Sequence, residues 1–442
     1  MEKKFRIFSI ILIIECFLIY GFRFGYYYLK FNNKKSDSKP VVKELLINKI
    51  INKTVTSGDG LYKNEDELVF RGSNVNNYLV YSNLTWRIVK INKDNSITLV
   101  LDSKITDLPF DNNELEIGDS YIYNYLNEDG DNTGIFESKL NNKEKYLVPN
   151  NICLDTILDI KNITCYRKEQ TKYVGILSVS DFINSKNTAS YLSNTDDFWL
   201  NNKTDDNKVY YVSKGNLSTD TNDSFHGVKP IITLNNEIEY VSGDGTIKNP
   251  FRIEKDVNTI NINSYVKLDN DLYTVYDIED SVIRLVNDSL VNDQRARYNN
   301  YYNVAFNPDL ASSIAYYLNN TYYNSLSYKD KLVDCDYYTG ELTTDYDYST
   351  KEYIKNYDYK NIYKTKVSAK VGLLSITDIN LNSSLDNYFL LNKVDGIVKS
   401  VNKNNATTTN KMRPTICIDK NTKLKGNGTK ENPFSLEETN EN

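Results

Sequence analysis

Histidine is almost absent from this sequence, since His226 is the only one among 442 residues. A mechanism that uses an imidazole as general base therefore has a single candidate, and no nucleophile-elbow motif accompanies it. The chain also lacks a phosphate-binding loop and a dinucleotide-binding glycine motif. We interpret His226 as a structural residue in a loop that enters a strand, and we expect no enzymatic activity.

Positive charge is scarce relative to negative charge. The 53 Lys and Arg residues are outnumbered by 59 Asp and Glu residues, which gives a net charge of −6. A surface that binds nucleic-acid phosphates needs a basic excess, so the composition argues against nucleic acid as a partner. With 40% hydrophobic and 25% charged residues, the chain has the balance of a folded globular protein.

Cysteine is also rare, with five in the chain. Cys16 lies in the first apolar segment, and the other four are Cys153, Cys165, Cys335 and Cys417. They include no C-x-x-C pair, which is atypical of a zinc site. An even number allows three pairings, one of which joins Cys153 to Cys165 and Cys335 to Cys417. Free buried thiols are the alternative.

One long apolar run is present, and it lies at the N-terminus. Basic residues precede the run 7–22, which extends to residue 29 if Arg23 reaches the membrane surface. About 20 apolar residues span a bilayer, and the basic flank predicts a cytoplasmic N-terminus. We expect an uncleaved signal-anchor at 1–30, with the cell membrane as partner through residues 7–29 and the rest extracytoplasmic. A cleaved signal peptide is the alternative, although no small-x-small site follows the run.

A long internal repeat is the most informative feature of the chain. The string G-D-G-T-I-K-N-P-F-R-I from Gly243 returns as G-N-G-T-K-E-N-P-F-S-L from Gly426, an offset of 426 − 243 = 183 residues. Its glycines and Asn-Pro pair predict a tight turn into a closing strand. Three shorter strings recur in the same order, and they begin at Tyr125, Val174 and Lys229 and again at Tyr317, Val371 and Arg413. The pattern indicates two tandem, diverged copies of one domain.

The repeat sets the expected boundaries. A stalk at 31–57 with a short amphipathic helix precedes repeat domain 1 at 58–254 and repeat domain 2 at 255–442. Strand patterns before and after a short helical region are typical of an α+β fold with an antiparallel sheet, and not of a doubly wound fold. The Tyr/Asp-rich stretch 343–363 is interpreted as an exposed loop.

Apolar alternation and turn residues predict the individual elements. In the first copy, strands are expected at 78–81, 85–91, 96–101, 174–177, 208–213, 228–234 and 249–253, and helices at 121–127 and 137–145. Ser178 is the expected N-cap of a further short helix. In the second copy, a hairpin is expected over 273–286 and a helix over 311–319.

The two tryptophans are the main candidates for packing or ligand contact. Trp86 alternates with Ile88 in a strand, which predicts a core position. Trp199 is followed closely by Asn201 and Asn202, a setting in which an aromatic ring stacks on a sugar. These three residues are the candidate ligand-binding set, and core packing is the alternative for Trp199.

Two acidic loops offer oxygen ligands for calcium. They lie at 128–132 and 205–207, and neither has the spacing of an EF-hand. Calcium is therefore not indicated, and we expect neither a metal site nor a cofactor.

Several motifs resemble those of an uncharacterised family of bacterial membrane-anchored surface proteins. The family combines an N-terminal membrane segment with W-R-I-V, Y-L-N, L-L-S, W-x-L, G-V-[RK]-P and G-D-G-T-x-x-N-P-[YF] motifs. Here W-R-I-V begins at Trp86, G-V-K-P at Gly227, and Trp199-Leu200 lacks the spacer. The match covers residues 58–254 well and 260–437 weakly.

The motif order also resembles the skeleton of C-type-lectin-like and formylglycine-generating-enzyme-like domains. This resemblance implies a fold of that kind. Neither copy has a Glu-Pro-Asn or Trp-Asn-Asp calcium and sugar signature, and neither has a catalytic cysteine pair near its end. The resemblance therefore implies a fold and no chemistry.

These observations favour cell-surface recognition or adhesion. The expected ligand lies outside the cell and is a glycan, a wall polymer or a protein. One alternative is a structural or assembly subunit of a cell-envelope complex, paired through its anchor. A weaker alternative is an extracytoplasmic hydrolase, which would need two carboxylates facing each other.

Overall fold

A computed structural model describes the chain from residue 44 with gaps. The described ranges are 44–111, 118, 120–129, 132–153, 155–157, 160, 167–193, 197–204, 208–254, 260–279, 281–298, 306–338, 366–375, 378, 388 and 409–437. In these ranges no helix is long and apolar enough to cross a bilayer. The signal-anchor predicted at 1–30 and the loop predicted at 343–363 lie outside them. Residues from Leu45 onwards form a compact unit.

The described residues form a mixed fold in which antiparallel sheets predominate and helices are few and short. This confirms the α+β class. The helices are α1 (Leu46–Ile50), α2 (Tyr121–Leu126), α3 (Lys143–Tyr146), α4 (Val179–Asn184), α5 (Ile314–Tyr317) and α6 (Tyr323–Ser325). Single 3₁₀ turns lie at Ile51–Lys53, Glu137–Lys139 and Lys329–Lys331, and a π-helical turn lies at Leu318–Tyr322.

We call residues 45–254 the first half and residues 260–437 the second half. The strands of the first half are β1 (Gly60–Asn64), β2 (Glu67–Arg71), β3 (Tyr78–Tyr81), β4 (Leu84–Ile91), β5 (Ile97–Leu101), β6 (Asp107–Pro109), β7 (Glu128–Asp129), β8 (Asn132–Thr133), β9 (Leu147–Val148), β10 (Asn150–Cys153), β11 (Lys168–Lys172), β12 (Val174–Ile176), β13 (Phe198–Lys203), β14 (Lys208–Ser213), β15 (Asn216–Thr221), β16 (Phe225–Gly227), β17 (Pro230–Leu234) and β18 (Phe251–Arg252).

The second half has fewer described strands. They are β19 (Tyr265–Leu268), β20 (Asp271–Ile278), β21 (Val282–Asn287), β22 (Val291–Arg297), β23 (Cys335–Tyr338), β24 (Lys366–Ala369), β25 (Val371–Leu373), β26 (Thr409–Met412), β27 (Pro414–Asp419), β28 (Leu424–Lys425) and β29 (Phe434–Leu436).

Both halves contain a main sheet with the same strand order. In the first half the order is β12-β17-β5-β4-β3-β18, and in the second it is β25-β27-β21-β20-β19-β29. In each sheet the last strand of the half lies parallel to an early strand, as β18 pairs with β3 and β29 with β19. The other pairings along these two paths are antiparallel.

An asparagine clasp fixes the short outer strand of each sheet in the same way. Asn127, at the end of α2, donates to Val174 O at 2.8 Å and accepts from Val174 N at 2.9 Å. Asn319 makes the corresponding pair with Val371, at 2.9 and 3.0 Å. The amide side chain satisfies two backbone groups that would otherwise be buried without partners. The Y-L-N string of the repeat is therefore a structural motif.

The other repeated strings also belong to the framework. Lys229, buried at 2% exposure, donates to Asp102 O at 2.8 Å, and Arg413, at 1% exposure, donates to Asn287 O at 2.9 Å. Gly245 O accepts from Tyr78 N at 2.9 Å, and Gly428 O accepts from Tyr265 N at 2.8 Å. The turn predicted from the glycine motif thus leads into the closing strand in both halves.

The stalk predicted at 31–57 is wrong for its last part, because the folded unit already begins at Leu45. Leu46, Ile47 and Ile50 of α1 are buried, and Leu46 N donates to Ile238 O at 2.8 Å. Burial of three large aliphatic side chains is worth several kcal/mol, which ties α1 to the first half. The short amphipathic helix itself was predicted correctly, but it belongs to the folded unit.

The two halves contact each other directly. Asn83, in the turn between β3 and β4, donates to Ser264 Oγ at 2.9 Å, and Asn263 donates to Asn83 O at 3.2 Å. Lys139 forms an ion pair with Asp277. Buried apolar side chains from both halves also belong to one hydrophobic cluster.

Candidate functional site

Trp199 lies in the core of a second sheet of the first half, whose strand order is β15-β14-β13-β16-β6. Its side chain has no exposed surface, and its indole N–H donates to Leu108 O at 2.8 Å. Phe110 and Tyr211 pack edge-on against the ring at centroid distances of 5.8 and 5.9 Å. The packing alternative therefore describes Trp199, because no face of the ring is open to a sugar.

The two asparagines of the candidate set are buried as well. Asn201 is 6% exposed and Asn202 is 1% exposed. Asn202 Oδ1 accepts from Val179 N at 2.8 Å, so it holds the start of α4. The candidate ligand-binding set therefore supports the junction of β13 with α4 and forms no surface. Trp86 also lies in the core, as predicted, with no exposed surface.

His226 is the residue of this sheet that connects the aromatic core with the surface. Its ring stacks on Tyr211 at a centroid distance of 3.8 Å and an interplanar angle of 22°, and it meets Trp199 edge-on at 4.5 Å. Its Nε2 lies 2.9 Å from Asp220 Oδ2 on the outer strand β15. The imidazole side chain is 12% exposed and the Asp220 side chain 38% exposed.

The electrostatics around Asp220 favour its ionised form. Burial alone raises the pKa of Asp220, but the hydrogen bond from His226 and the backbone N–H of Thr221 hold this pKa below its ordinary value. An ionised carboxylate accepts hydrogen bonds, so His226 Nε2 acts as the donor. The aspartate fixes the imidazole tautomer and leaves part of its own surface free for solvent.

This arrangement differs from a hydrolytic triad. Ser224 approaches Asp220 and not the imidazole, and its Oγ lies 3.0 Å from Thr221 Oγ1. In a triad the histidine stands between the serine and the acid. The order here is serine, aspartate, histidine, which gives no path for a proton from serine to imidazole. The cluster is suited to hydrogen bonding and not to nucleophilic attack.

The hairpin β14–β15 presents a polar surface beside this cluster. β15 is an outer strand of its sheet, and all of its residues except Leu217 are polar: Asn216, Ser218, Thr219, Asp220 and Thr221. Each residue of β15 is half-buried or exposed. Hydroxyl, amide and carboxylate groups on a strand can donate to and accept from a polar ligand, and Tyr211, which is paired with Ser218 and stacked on His226, lies beside them.

No motif in the sequence indicated this cluster. His226 was interpreted as structural, and its packing against Trp199 agrees with that interpretation. The polar composition of β15 hides a strand, since Asn and Asp are depleted in strands. Two features could have indicated β15: the Val- and Tyr-rich composition of the preceding strand β14, and the two residues Lys214–Gly215, which form the turn of the hairpin.

Cys335 and Cys417 form a disulfide between β23 and β27, which is one pairing that the sequence leaves open. Cys165 lies outside the described ranges, and only the backbone of Cys153 is described. The acidic loop at 205–207 and part of that at 128–132 also lie outside. Among the described side chains, no group of three His, Cys, Asp or Glu residues is arranged to hold a metal ion.

No protein-family model matches the chain, and neither the curated proteins nor the solved structures contain a match.

Proposed function

We propose that this chain is a membrane-anchored surface protein built from two diverged copies of one sheet domain, and that it acts in recognition of an extracellular ligand. The shared strand order, the paired asparagine clasps and the two glycine turns support the duplication. Residues 1–30 supply the anchor in this proposal, and the two copies extend outside the cell.

The recognition role is supported by a contrast within the first half between residues that build the framework and residues that form a polar surface. The repeated strings serve the framework, whereas β15, the outer strand of the hairpin β14–β15, is polar and partly exposed to solvent. Polar groups beside an aromatic cluster suit a ligand that is rich in hydroxyl or amide groups, such as a glycan or an extended peptide. We assign the binding surface of the first half to this hairpin, with Ser218, Asp220 and His226 at its centre.

The test is ligand-dependent thermal unfolding of the compact unit from residue 45 to 442. Wall polymers, oligosaccharides and peptides are added one class at a time. A ligand at 100 times its Kd stabilises the folded state by about 2.7 kcal/mol, so a binder raises the unfolding midpoint measurably. We expect one class to do so.

Paired variants locate the surface. Ser218→Ala with Asp220→Ala should abolish the ligand-dependent shift, because these two half-buried side chains supply the polar groups at the centre of the assigned surface on β15. The matched control is Asp66→Ala, which removes an exposed carboxylate from a turn distant in sequence, where it pairs with Lys93. A shift that survives the hairpin change would move the binding surface elsewhere. No shift with any ligand class would favour the assembly alternative.

A further inference from the structure

The outer edge of β15 is left open, unlike four outer edges of the main sheets. One asparagine clasp covers β12 and another covers β25. Val55 N donates to Leu61 O at 2.8 Å beside β1, and Val241 N donates to Arg252 O at 2.9 Å beside β18. Such covers keep a strand edge from pairing with other chains. β15 has β14 on one side, and no other described strand pairs with it on the other side.

The turn of the hairpin decides which backbone groups of β15 point outward. Lys214 and Gly215 both have positive φ values, +48° and +76°, as in the type I′ turn of a two-residue hairpin. The residues on either side of this turn therefore form a hydrogen-bonded pair, and such pairs alternate along an antiparallel ladder. The N–H and C=O groups of Leu217, Thr219 and Thr221 consequently point away from β14.

Two of these three residues keep their outward groups available. Thr221 is occupied, because its N–H donates to Asp220 Oδ1 at 2.9 Å and its carbonyl accepts from Ser224 N at 3.0 Å. No hydrogen bond from the described part of the chain reaches the outward groups of Leu217 or Thr219. Each residue therefore offers one donor and one acceptor, and the two residues lie about 6.8 Å apart along the strand.

β15 also lacks the features that protect an exposed strand edge. Its six residue pairs with β14 run without a bulge, and it contains no proline and no lysine. Its one charged residue is Asp220, whose side chain is 38% exposed. Asp223 is exposed shortly after the strand, whereas Lys214 is exposed at the turn before it. The end of the edge near Thr221 is therefore acidic, and it favours a basic group on whatever binds there.

We propose that the outer edge of β15 binds an extended polypeptide segment of another protein as an added strand, with a basic side chain of that segment opposite Asp220. This inference rests on the proposed function, because it names the ligand class of the same surface. An extended backbone repeats one donor and one acceptor at the interval set by Leu217 and Thr219, which a sugar ring does not. Directly opposite residues have Cβ atoms about 4.5–5.5 Å apart, so a Lys or Arg there can pair with the carboxylate.

The test measures the binding of four labelled probes to the full chain by fluorescence anisotropy. The first is a short Thr-rich peptide with blocked ends and one central Lys. The second has Glu in place of Lys, the third has a methyl group on each backbone nitrogen, and the fourth is a wall oligosaccharide. We expect the Lys peptide to bind several-fold more tightly than the Glu peptide. The N-methylated peptide should not bind, because main-chain hydrogen bonds supply the affinity in this mode.

Hydrogen–deuterium exchange locates the bound peptide on the chain. The outward amides of Leu217 and Thr219 should exchange more slowly when the Lys peptide is added, because they then donate to its carbonyl groups. The amides of the covered strands β12 and β25 should exchange at the same rate with and without the peptide. Unchanged exchange at Leu217 and Thr219 under saturating peptide would contradict the proposal.

Backbone and charge variants test the two parts of the proposal separately. Thr219→Pro should weaken binding of the Lys peptide by about tenfold or more, because it removes an outward donor and obstructs an incoming strand. The Thr219 N–H points away from β14, so the ladder within the hairpin is kept. The matched control Thr219→Val retains this N–H and should bind as the wild type does. Asp220→Asn should remove the preference for Lys over Glu, and it provides a second measurement if the proline variant does not fold.

The outcomes distinguish this inference from the proposed function. Equal binding of the Lys peptide by the wild type and Thr219→Pro, or no binding of the Lys peptide, would overturn strand addition. Oligosaccharide binding that is lost in Ser218→Ala with Asp220→Ala would then leave the proposed surface in place, whereas no dependence of any probe on these two residues would remove both. Self-association of the chain without peptide, lost in Thr219→Pro, would make a second copy the occupant and would also overturn the proposal.

Discussion

Trp199 is held by residues from three other strands of its sheet. Leu108 on β6 accepts its indole N–H, Tyr211 packs from β14, and His226 packs from β16. The ring thus connects segments that lie 91 residues apart in the chain. His226 differs from Trp199 because it also reaches Asp220 at the surface. The aromatic cluster thus contains a fully buried residue, Trp199, and a partly exposed one, His226.

We predict that Trp199→Ala destabilises the protein by about 3–5 kcal/mol, the usual cost of removing a large buried aromatic side chain. The expected loss comes from buried apolar area and from the unpaired Leu108 carbonyl. Urea unfolding followed by far-UV circular dichroism measures it. Unchanged stability together with lost ligand binding would instead restore Trp199 as a contact residue.

The sequence could identify the residue types of this site but not their neighbours. Trp199 beside Asn201 and Asn202 has the composition of a sugar-binding edge. The contacts that bury it come from Leu108 and Phe110, far away in the chain. The residues around Trp199 in the sequence do not show that Leu108 and Phe110 pack against it. The sequence alone therefore cannot decide whether Trp199 packs in the core or contacts a ligand.

At the scale of elements, the glycine turns are the most regular feature of both halves. Gly245 and Gly428 have φ values of +85° and +73°, and a Cβ on either would lie 2.5 Å from a ring carbon of Phe251 or Phe434. Positive φ favours glycine on its own. The close ring adds a second requirement, which explains why G-x-G-T-x-x-N-P-F keeps its glycines and its phenylalanine together.

Gly245→Ala and Gly428→Ala should each destabilise the protein by more than the positive φ alone costs, which is about 1–2 kcal/mol. Gly58→Ala is the matched control, since Gly58 has a φ of +78° but no atom within 4 Å of the added methyl group. Thermal unfolding of the three variants compares them. Equal losses at all three positions would show that the phenylalanine rings move aside freely.

Strongly patterned elements were predicted closely. The strands expected at 78–81 and 208–213 are β3 and β14 with the same bounds, and Ser178 caps α4 as expected. The helix expected over 137–145 is wrong, because a 3₁₀ turn and α3 share that segment with Asn142 between them at a φ of +49°. The strand β15 was missed, because its pairing with β14 overrides a polar composition.

At the scale of the whole molecule, side-chain contacts join the two halves, and a disulfide crosslinks the second half internally. The turn at Asn83 meets Asn263 and Ser264, and the ion pair of Lys139 with Asp277 adds a charged contact. The disulfide between Cys335 and Cys417 closes a separation of 82 residues. Because the apolar cluster is shared, we expect the halves to unfold together and not as independent domains.

Reduction of the Cys335–Cys417 disulfide should lower the stability of the compact unit by about 4 kcal/mol, the value expected for closing a loop of this length in the unfolded chain. Urea unfolding with and without dithiothreitol measures the difference. The double variant Cys335→Ser with Cys417→Ser is the control and should not respond to the reductant. An equal response of the wild type and the double variant would exclude this disulfide as the cause.

The parallel pairing of each closing strand beside an early strand has a further consequence. Phe251 lies opposite Leu79, and Phe434 lies opposite Val266, so the last strand of each half lies beside one of its early strands. In the sequence, five residues, 255–259, separate the two halves. If the halves arose by duplication, as we propose, an early and a late strand that lie side by side allow one unit to follow another without rethreading the chain.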